Sequence, residues 1–210
     1  MKNVINCLVN HNEYINSKLK EVSVEEGLVI AEELFQILNK RGDGIGLAAN
    51  QVGIDAQVAV VNVREPLVLI NPKYIHKEFE IMYGEGCLSY PGQAIKTKRY
   101  RDVIIQTAQS ESGWYFSGAG DVVDNASGSW EVERKTKDQE LRILESVCIQ
   151  HEIDHLNGVV CMDRKVNNTV KVDKKIGRNQ LVTIKKGDAV KVLKYKKAQN
   201  FLNQGWEING

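Results

Sequence analysis

The sequence predicts an α+β fold in which antiparallel strands wrap around a central helix. Three observations predict it. Short β-branched runs broken by turn residues lie between Gln57 and Tyr83, and a well-capped amphipathic helix precedes them. A second helix follows, carrying His151 and His155 four residues apart. Residues at that spacing stand one above the other on a single helix face.

Composition sets the frame for these elements. A chain of 210 residues with 42% hydrophobic content can bury one sizeable core and a small appendage. No stretch approaches about 18 uninterrupted apolar residues, and the start of the chain lacks a secretory pattern. A cytoplasmic protein with no membrane and no specific DNA partner is expected. Cys7, Cys87, Cys148 and Cys161 fall at irregular spacings without a CxxC pair, so no disulfide framework is expected. The net charge of +1 hides an asymmetry. Residues 1–163 carry 16 Lys+Arg and 24 Asp+Glu, or −8, whereas residues 164–210 carry 12 and 3, or +9.

The elements follow in order. Ser23-Val24-Glu25-Glu26 has the form of a capping box, and Leu28, Ala31, Leu34, Phe35 and Leu38 follow at helical spacing. This predicts a helix from Ser23 to Arg41 on the outside of the fold, stopped by Gly42, Gly44 and Gly46. The stretch Gly44-Ile45-Gly46-Leu47-Ala48-Ala49-Asn50-Gln51 lets backbone run close against a ligand or another strand. Gln57–Val63, Leu67–Asn71 and Phe79–Tyr83 read as antiparallel strands. In Glu85-Gly86-Cys87-Leu88-Ser89-Tyr90-Pro91-Gly92 a cysteine stands between glycines and a proline turn, a setting for a ligand or nucleophile more than for a buried structural thiol. Val103–Gln109 and Trp130–Lys135 are expected to pair as a hairpin around an inserted loop at about 110–129, which reads as a tolerated surface loop.

The second helix is predicted from about Asp138 to the Asn157-Gly158 stop. Leu141, Leu144, Cys148, His151 and His155 make one stripe along it, apolar at the start and metal-binding at the end. The stripe suits a pocket floor leading to a metal and equally a packed core. His151 and His155 can grip one ion, and Glu152 can face a water beside it as a general acid/base. HExxH also arises by chance in helices, and two imidazoles leave a catalytic metal one protein ligand short. An HExxH peptidase would take its third ligand downstream, where only Glu207 and no histidine occurs.

Gly44–Gln51, Glu85–Ser89 and His151–His155, in this order, resemble the peptide deformylase family over about residues 25–165. The resemblance implies antiparallel strands around the helix of the His-Glu-Ile-Asp-His motif. It implies that residues 1–165 form the catalytic domain and that 166–210 are a basic extension. The implied metal ligands are Cys87, His151 and His155. The implied cofactor is one divalent ion, Fe(II) in the cell, with Zn(II), Ni(II) or Co(II) possible in its place. The implied reaction removes the N-formyl group from the formyl-methionine that begins nascent polypeptides. In it a metal-bound water attacks, Glu152 acts as acid/base, and the Gln51 amide and Leu88 N–H hold the developing oxyanion. By the same resemblance Gly44, Ile45, Gly46, Gly86 and Ser89 would take the peptide as an added strand. Ile45, Tyr83, Leu144, Val147 and Cys148 would receive the methionine. Arg99 is expected to pair with Glu85 or Asp154 behind the metal loop. The family commonly has an arginine where this chain has Ala94, which departs from the pattern at the pocket mouth. His11 and His76 lie outside every motif and are expected on the surface. The basic residues after 164, including Lys174-Lys175, Lys185-Lys186 and Lys194 with Lys196-Lys197, are candidate ribosome contacts.

Overall fold

The computed structural model describes residues 2–118, 122–124, 130–132, 137–166, 181–186, 189–194, 197–198, 201 and 206–208. It divides into two compact units, Met1–Val166 and Asn167–Gly210.

The first unit begins with α1 (Val24–Arg41). The Ser23 hydroxyl accepts the Glu26 N–H at 3.1 Å, and acidic residues in the first turn and basic ones in the last complement the helix dipole. Gly42 ends the helix with φ 73°, a left-handed conformation open to glycine. Leu34 and Leu38 face the core. Gly27 lets α1 lie directly on the sheet, since a Cβ there would stand 2.7 Å from Ile70.

β1 (Gly46–Ala48), β2 (Val58–Asn62) and β3 (Pro66–Ile70) form one antiparallel sheet in that order, with a 3-10 turn at Ala49–Val52 after β1. Val58, Ala59, Val60 and Val61 are all buried, so β2 is covered on both faces. The second sheet has the order β4 (Lys73–Cys87), β5 (Tyr90–Thr107), β6 (Ser110–Ser117), again antiparallel. At its tip Glu85 faces Ile95 while Cys87 faces Tyr90. Between these pairs β4 has one residue, Gly86, and β5 has four, 91–94, so the extra residues form a bulge in β5. The N-terminal segment ties the two sheets together. Ile5 N–H donates to the Gln51 carbonyl and Cys7 N–H to the Ser89 carbonyl, each at 2.8 Å.

The strand partner of Val103–Gln109 corrects the sequence reading. It is β6, inside the stretch expected to be loop, and not Trp130–Lys135. Trp114 and Phe116, two residues apart, pack against the core from β6, which is why this segment joins the sheet. Trp130–Val132 (β8) instead pairs with Val122–Asp124 (β7) in a separate two-stranded ribbon.

α2 (Lys137–Leu156) is buried at every residue from Glu145 to Leu156. Its second half is thus the centre of the unit, in contact with β1, β2 and β5. Polar side chains hold it there. Gln150 donates to the Tyr100 carbonyl at 2.7 Å and accepts the Tyr100 N–H at 2.9 Å, completing the hydrogen bonds of β5 at that residue. At the helix end, Asn50 donates to the His155 carbonyl at 2.7 Å and Gln57 to the Leu156 carbonyl at 3.2 Å, satisfying acceptors a helix leaves open. Gly158, at φ 73°, turns the chain where any side chain would press on Asn16 and Ser17.

In the second unit, β9 (Leu181–Lys186) is flanked by β10 (Ala189–Lys194) and β11 (Glu207–Ile208), all antiparallel. Ala198 and Phe201 are helical, and 199–200 and 202–204 lie outside the described residues. Lys191 Nζ sits 4.5 Å from the Phe201 ring centre, and Phe201 packs edge-on against Trp206. Lys174, Lys175 and Lys196 lie outside the described residues.

Candidate active site and metal centre

α2 brings His151 and His155 to one face, and the β4–β5 tip delivers Cys87 to the same place. The donor atoms of the three residues all lie within 4.8 Å of one another, and all three residues are buried. Cys87 Sγ is 3.2 Å from His155 Nε2. His151 Nδ1 is 2.8 Å from the Glu85 carboxylate. A carboxylate only accepts, so this contact places a proton on Nδ1 and leaves Nε2 for the donor cluster. Burial pushes the His155 pKa well down and keeps that ring neutral, as a ligand must be. Burial also opposes charge on His151, but the bond to Glu85 and the nearby charges of Glu152, Glu85 and Cys161 together outweigh it and raise its pKa. Cys161 lies beside Cys87 in the same small cluster with Ile95. The hydrogen bond with Cys161 and burial together push the Cys87 thiol up, so a cation must displace its proton to bind there. The donor set fits a divalent ion of intermediate softness: one sulfur, two imidazoles, and the outer nitrogen of His151 oriented by a carboxylate.

Glu85 anchors this arrangement. It takes Arg99 in a two-pronged contact at 2.5 and 2.8 Å, together with His151 and the Thr97 hydroxyl. Burial alone would raise its pKa, but His151 and Arg99 overcome that and hold it at about 2. Arg99 also reaches Asp154 at 2.5 Å, and Arg164 grips Asp154 from the other side. Arg99 was expected to pair with one of these carboxylates and bridges both. Arg164 was missed, since its position in sequence reads as the first residue of a basic tail.

Glu152 sits between the two histidines. Burial pushes its pKa up to about 7. Its Oε1 lies against Gly46, where any Cβ would collide with it and would come within 2.7 Å of Cys148 Sγ. Its Oε2 is buried and has no hydrogen-bond partner among the described residues. The Gln51 amide is fixed in direction: Oε1 accepts the Ala48 N–H at 2.8 Å, so Nε2 faces Cys87 Sγ and Ser89 Oγ, at 3.6 and 3.3 Å.

These groups open onto a cleft of about 410 Å³. Its walls include Gly44, Ile45, Gly46 and Gln51 from the first sheet side, and Tyr83, Glu85, Gly86, Cys87 and Leu88 from the β4–β5 tip. Leu144, Val147, Cys148, His151 and Glu152 come from α2. Leu141 and His155 are not in the wall. Ser89 departs from the expectation that it touches substrate. It is fully buried, its carbonyl is taken by Cys7 and its hydroxyl by Gln51, so it supports Gln51 from behind. Asn50, Gln57 and Gln150 had no signal in the sequence, because amides in such contexts read as solvated.

The family model described as polypeptide deformylase matches residues 6–117 and 129–171. The chain belongs to the peptide deformylase family. It is a hydrolase, and the family removes N-formyl groups from nascent peptides. A peptide deformylase of Dictyoglomus thermophilum is 30% identical over 164 residues, covering 78% of this chain and 87% of that relative. One from Thermoanaerobacter pseudethanolicus is 33% identical over 158 residues, covering 74% and 85%. Among solved structures, a peptide deformylase of Synechococcus elongatus in complex with actinonin aligns with TM-score 0.57 at 29% identity, covering 80% of each chain. That of Thermotoga maritima aligns with TM-score 0.59 at 24% identity, over 79% of this chain and 98% of its own, a likeness of fold. The family match leaves out 118–128, a shorter stretch than the 110–129 read as insertion, and it includes all of β6. No helix among the described residues is long and apolar enough to cross a membrane.

Proposed function

We propose that this chain removes the formyl group from formyl-methionine peptides at the cleft, using a divalent cation held by Cys87, His151 and His155. The observation that carries the reading is the convergence of three buried donors within 4.8 Å, next in the chain to Glu152, whose Oε2 has no hydrogen-bond partner among the described residues. A cation in that position supplies Lewis acidity that acidifies water and polarises a carbonyl. Fe(II) is the proposed ion in the cell, with Zn(II), Ni(II) or Co(II) able to replace it in the same donor set.

The protein's own groups then do the following. Glu152 Oε2 takes a proton from water and returns it to the departing amine, a role suited to a carboxyl whose pKa of about 7 lies near neutral pH. Gln51 Nε2, held in direction by Ala48, and the Leu88 N–H donate to the oxygen as it gains charge. Each such donor is typically worth about 3 kcal/mol of barrier. Ile45, Tyr83, Leu144, Val147 and Cys148 receive the methionine side chain, and the backbone of Gly44–Gly46 and Gly86 takes the peptide as an added strand. Glu85, Arg99 and Asp154 hold the ligand geometry from behind. A cytoplasmic setting suits the four free cysteines.

Formate release from a formyl-Met peptide under anaerobic Fe(II) loading tests the activity. Two variants test the roles. Cys87→Ser should lose most of its metal, because a hydroxyl keeps its proton where a thiol gives it up. Glu152→Ala should keep about one equivalent of metal while turnover falls by at least about 100-fold. Equal metal loss in both variants would make Glu152 structural. A full equivalent in Cys87→Ser would remove that sulfur from the site.

A further inference from the structure

Among the described residues, Arg41 is the one Lys or Arg that lines the cleft. It is the last residue of α1, and Pro91, Gly92 and Gln93 line the same cleft. Its guanidinium is already paired: Nε lies 2.7 Å from Asp43 Oδ1 and a terminal nitrogen 3.3 Å from Oδ2. The pairing uses two of five N–H donors. It orients the fork and leaves three donors for another acceptor, and with one carboxylate already bound they suit a neutral acceptor better than a second carboxylate. A peptide whose formyl end lies at Glu152 and that runs along the cleft meets the residues lining it, Arg41 among them. Its nearest neutral acceptors beyond the methionine are main-chain carbonyls.

Building on the proposed deformylation, we infer that Arg41, oriented by Asp43, is a specificity determinant that hydrogen-bonds the main-chain carbonyls of the substrate beyond formyl-methionine. It reads the length of the peptide and is indifferent to its side chains. Ala94, which follows the lining residues Pro91, Gly92 and Gln93, offers no side-chain donor, which leaves Arg41 as the charged donor among the described lining residues. The bond strengthens binding of the substrate and of the transition state alike, so it acts on KM rather than kcat.

The test compares formyl-Met amide, formyl-Met-Ala amide and formyl-Met-Ala-Ala amide with the metal-loaded wild type, Arg41→Ala and Asp43→Asn. The KM ratio of Arg41→Ala to wild type should grow about 5- to 10-fold from the shortest substrate to the longest. Exchanging the second residue among Ala, Glu and Lys should leave that growth unaltered. Asp43→Asn should show a smaller growth in KM, because the fork loses its orientation but keeps its donors. A ratio independent of length would overturn the inference and leave Arg41 as the partner of Asp43 alone. An effect confined to glutamate-containing peptides would overturn it in favour of a charge subsite. Failure of the wild type to turn over formyl-Met amide would instead count against the deformylase reading itself.

Discussion

Glu85 shows how much a single side chain carries here. It is nearly inaccessible, it bonds Thr97, Arg99 and His151, and its carboxyl is held at about 2. The folded protein therefore keeps this charge more tightly than the unfolded chain does. The stabilisation is whole above about 4.5 and drains away as pH falls towards about 2. A shift of this size corresponds to about 3 kcal/mol at full effect. Thermal unfolding of the metal-free protein between pH 6 and 2 should show it, with a visibly shallower decline in Glu85→Gln. An unchanged pH slope in the variant would refute the assignment. Glu152 works in the opposite sense. Its pKa is raised to about 7, so in the metal-free protein its contribution is present below about 4.5 and is lost as pH rises through 7. Glu152→Gln should flatten that upper limb. At this scale the sequence was legible where chemistry has a pattern, as at His151, Glu152 and His155. It was silent on Asn50, Gln150 and Arg164, whose roles depend on which distant carbonyl or carboxylate they meet.

Among the elements, α1 could be read because caps and apolar spacing agree along its whole length. β5 could be read only over its last third. Its inward positions from 95 to 101 are Ile95, Thr97, Arg99 and Arg101, all buried, and three of the four are polar. An alternation of that kind carries no apolar signal, because the strand faces the carboxylates behind the metal site instead of a hydrophobic core. β6 was hidden for another reason: a strand with no fully buried residue inside a Ser- and Gly-rich stretch resembles a loop. The end of α2 is held in part by one amide. Asn50→Ala removes donors to the carbonyls of His155 and Tyr14, at 2.7 and 3.3 Å, and leaves each with one remaining donor, the Gly158 and Ser17 N–H groups. The expected cost is about 1–2 kcal/mol of stability. Metal affinity should fall with it, although every ligand remains, because His155 is no longer held at the helix end. Chelator competition alongside thermal unfolding checks both. A stability loss with metal affinity intact would separate the cap from the site.

The whole chain joins an acidic stretch to a basic one, −8 over residues 1–163 and +9 over 164–210. If the basic part docks on ribosomal RNA, binding to ribosomes should fall steeply with added salt and on Lys→Gln substitution at Lys186, Lys191 and Lys194. Equal pelleting of wild type and substituted protein with ribosomes at low salt would leave those lysines as a solvated surface. The first unit has a consequence of a different kind, in the traffic of the ion itself. Two of its three proposed ligands belong to a helix buried on every side and cannot retreat without opening the core. The third, Cys87, ends a two-stranded tip fastened from several sides: the Gln51 contacts, the bond from Glu85 to His151, packing on Cys161, and the bond from Cys7 N–H to the Ser89 carbonyl. Withdrawal of the sulfur requires that tip to lift, and the first few residues of the chain are one of its fastenings. Trimming the chain before Asn10 would speed exchange of the ion without touching a ligand.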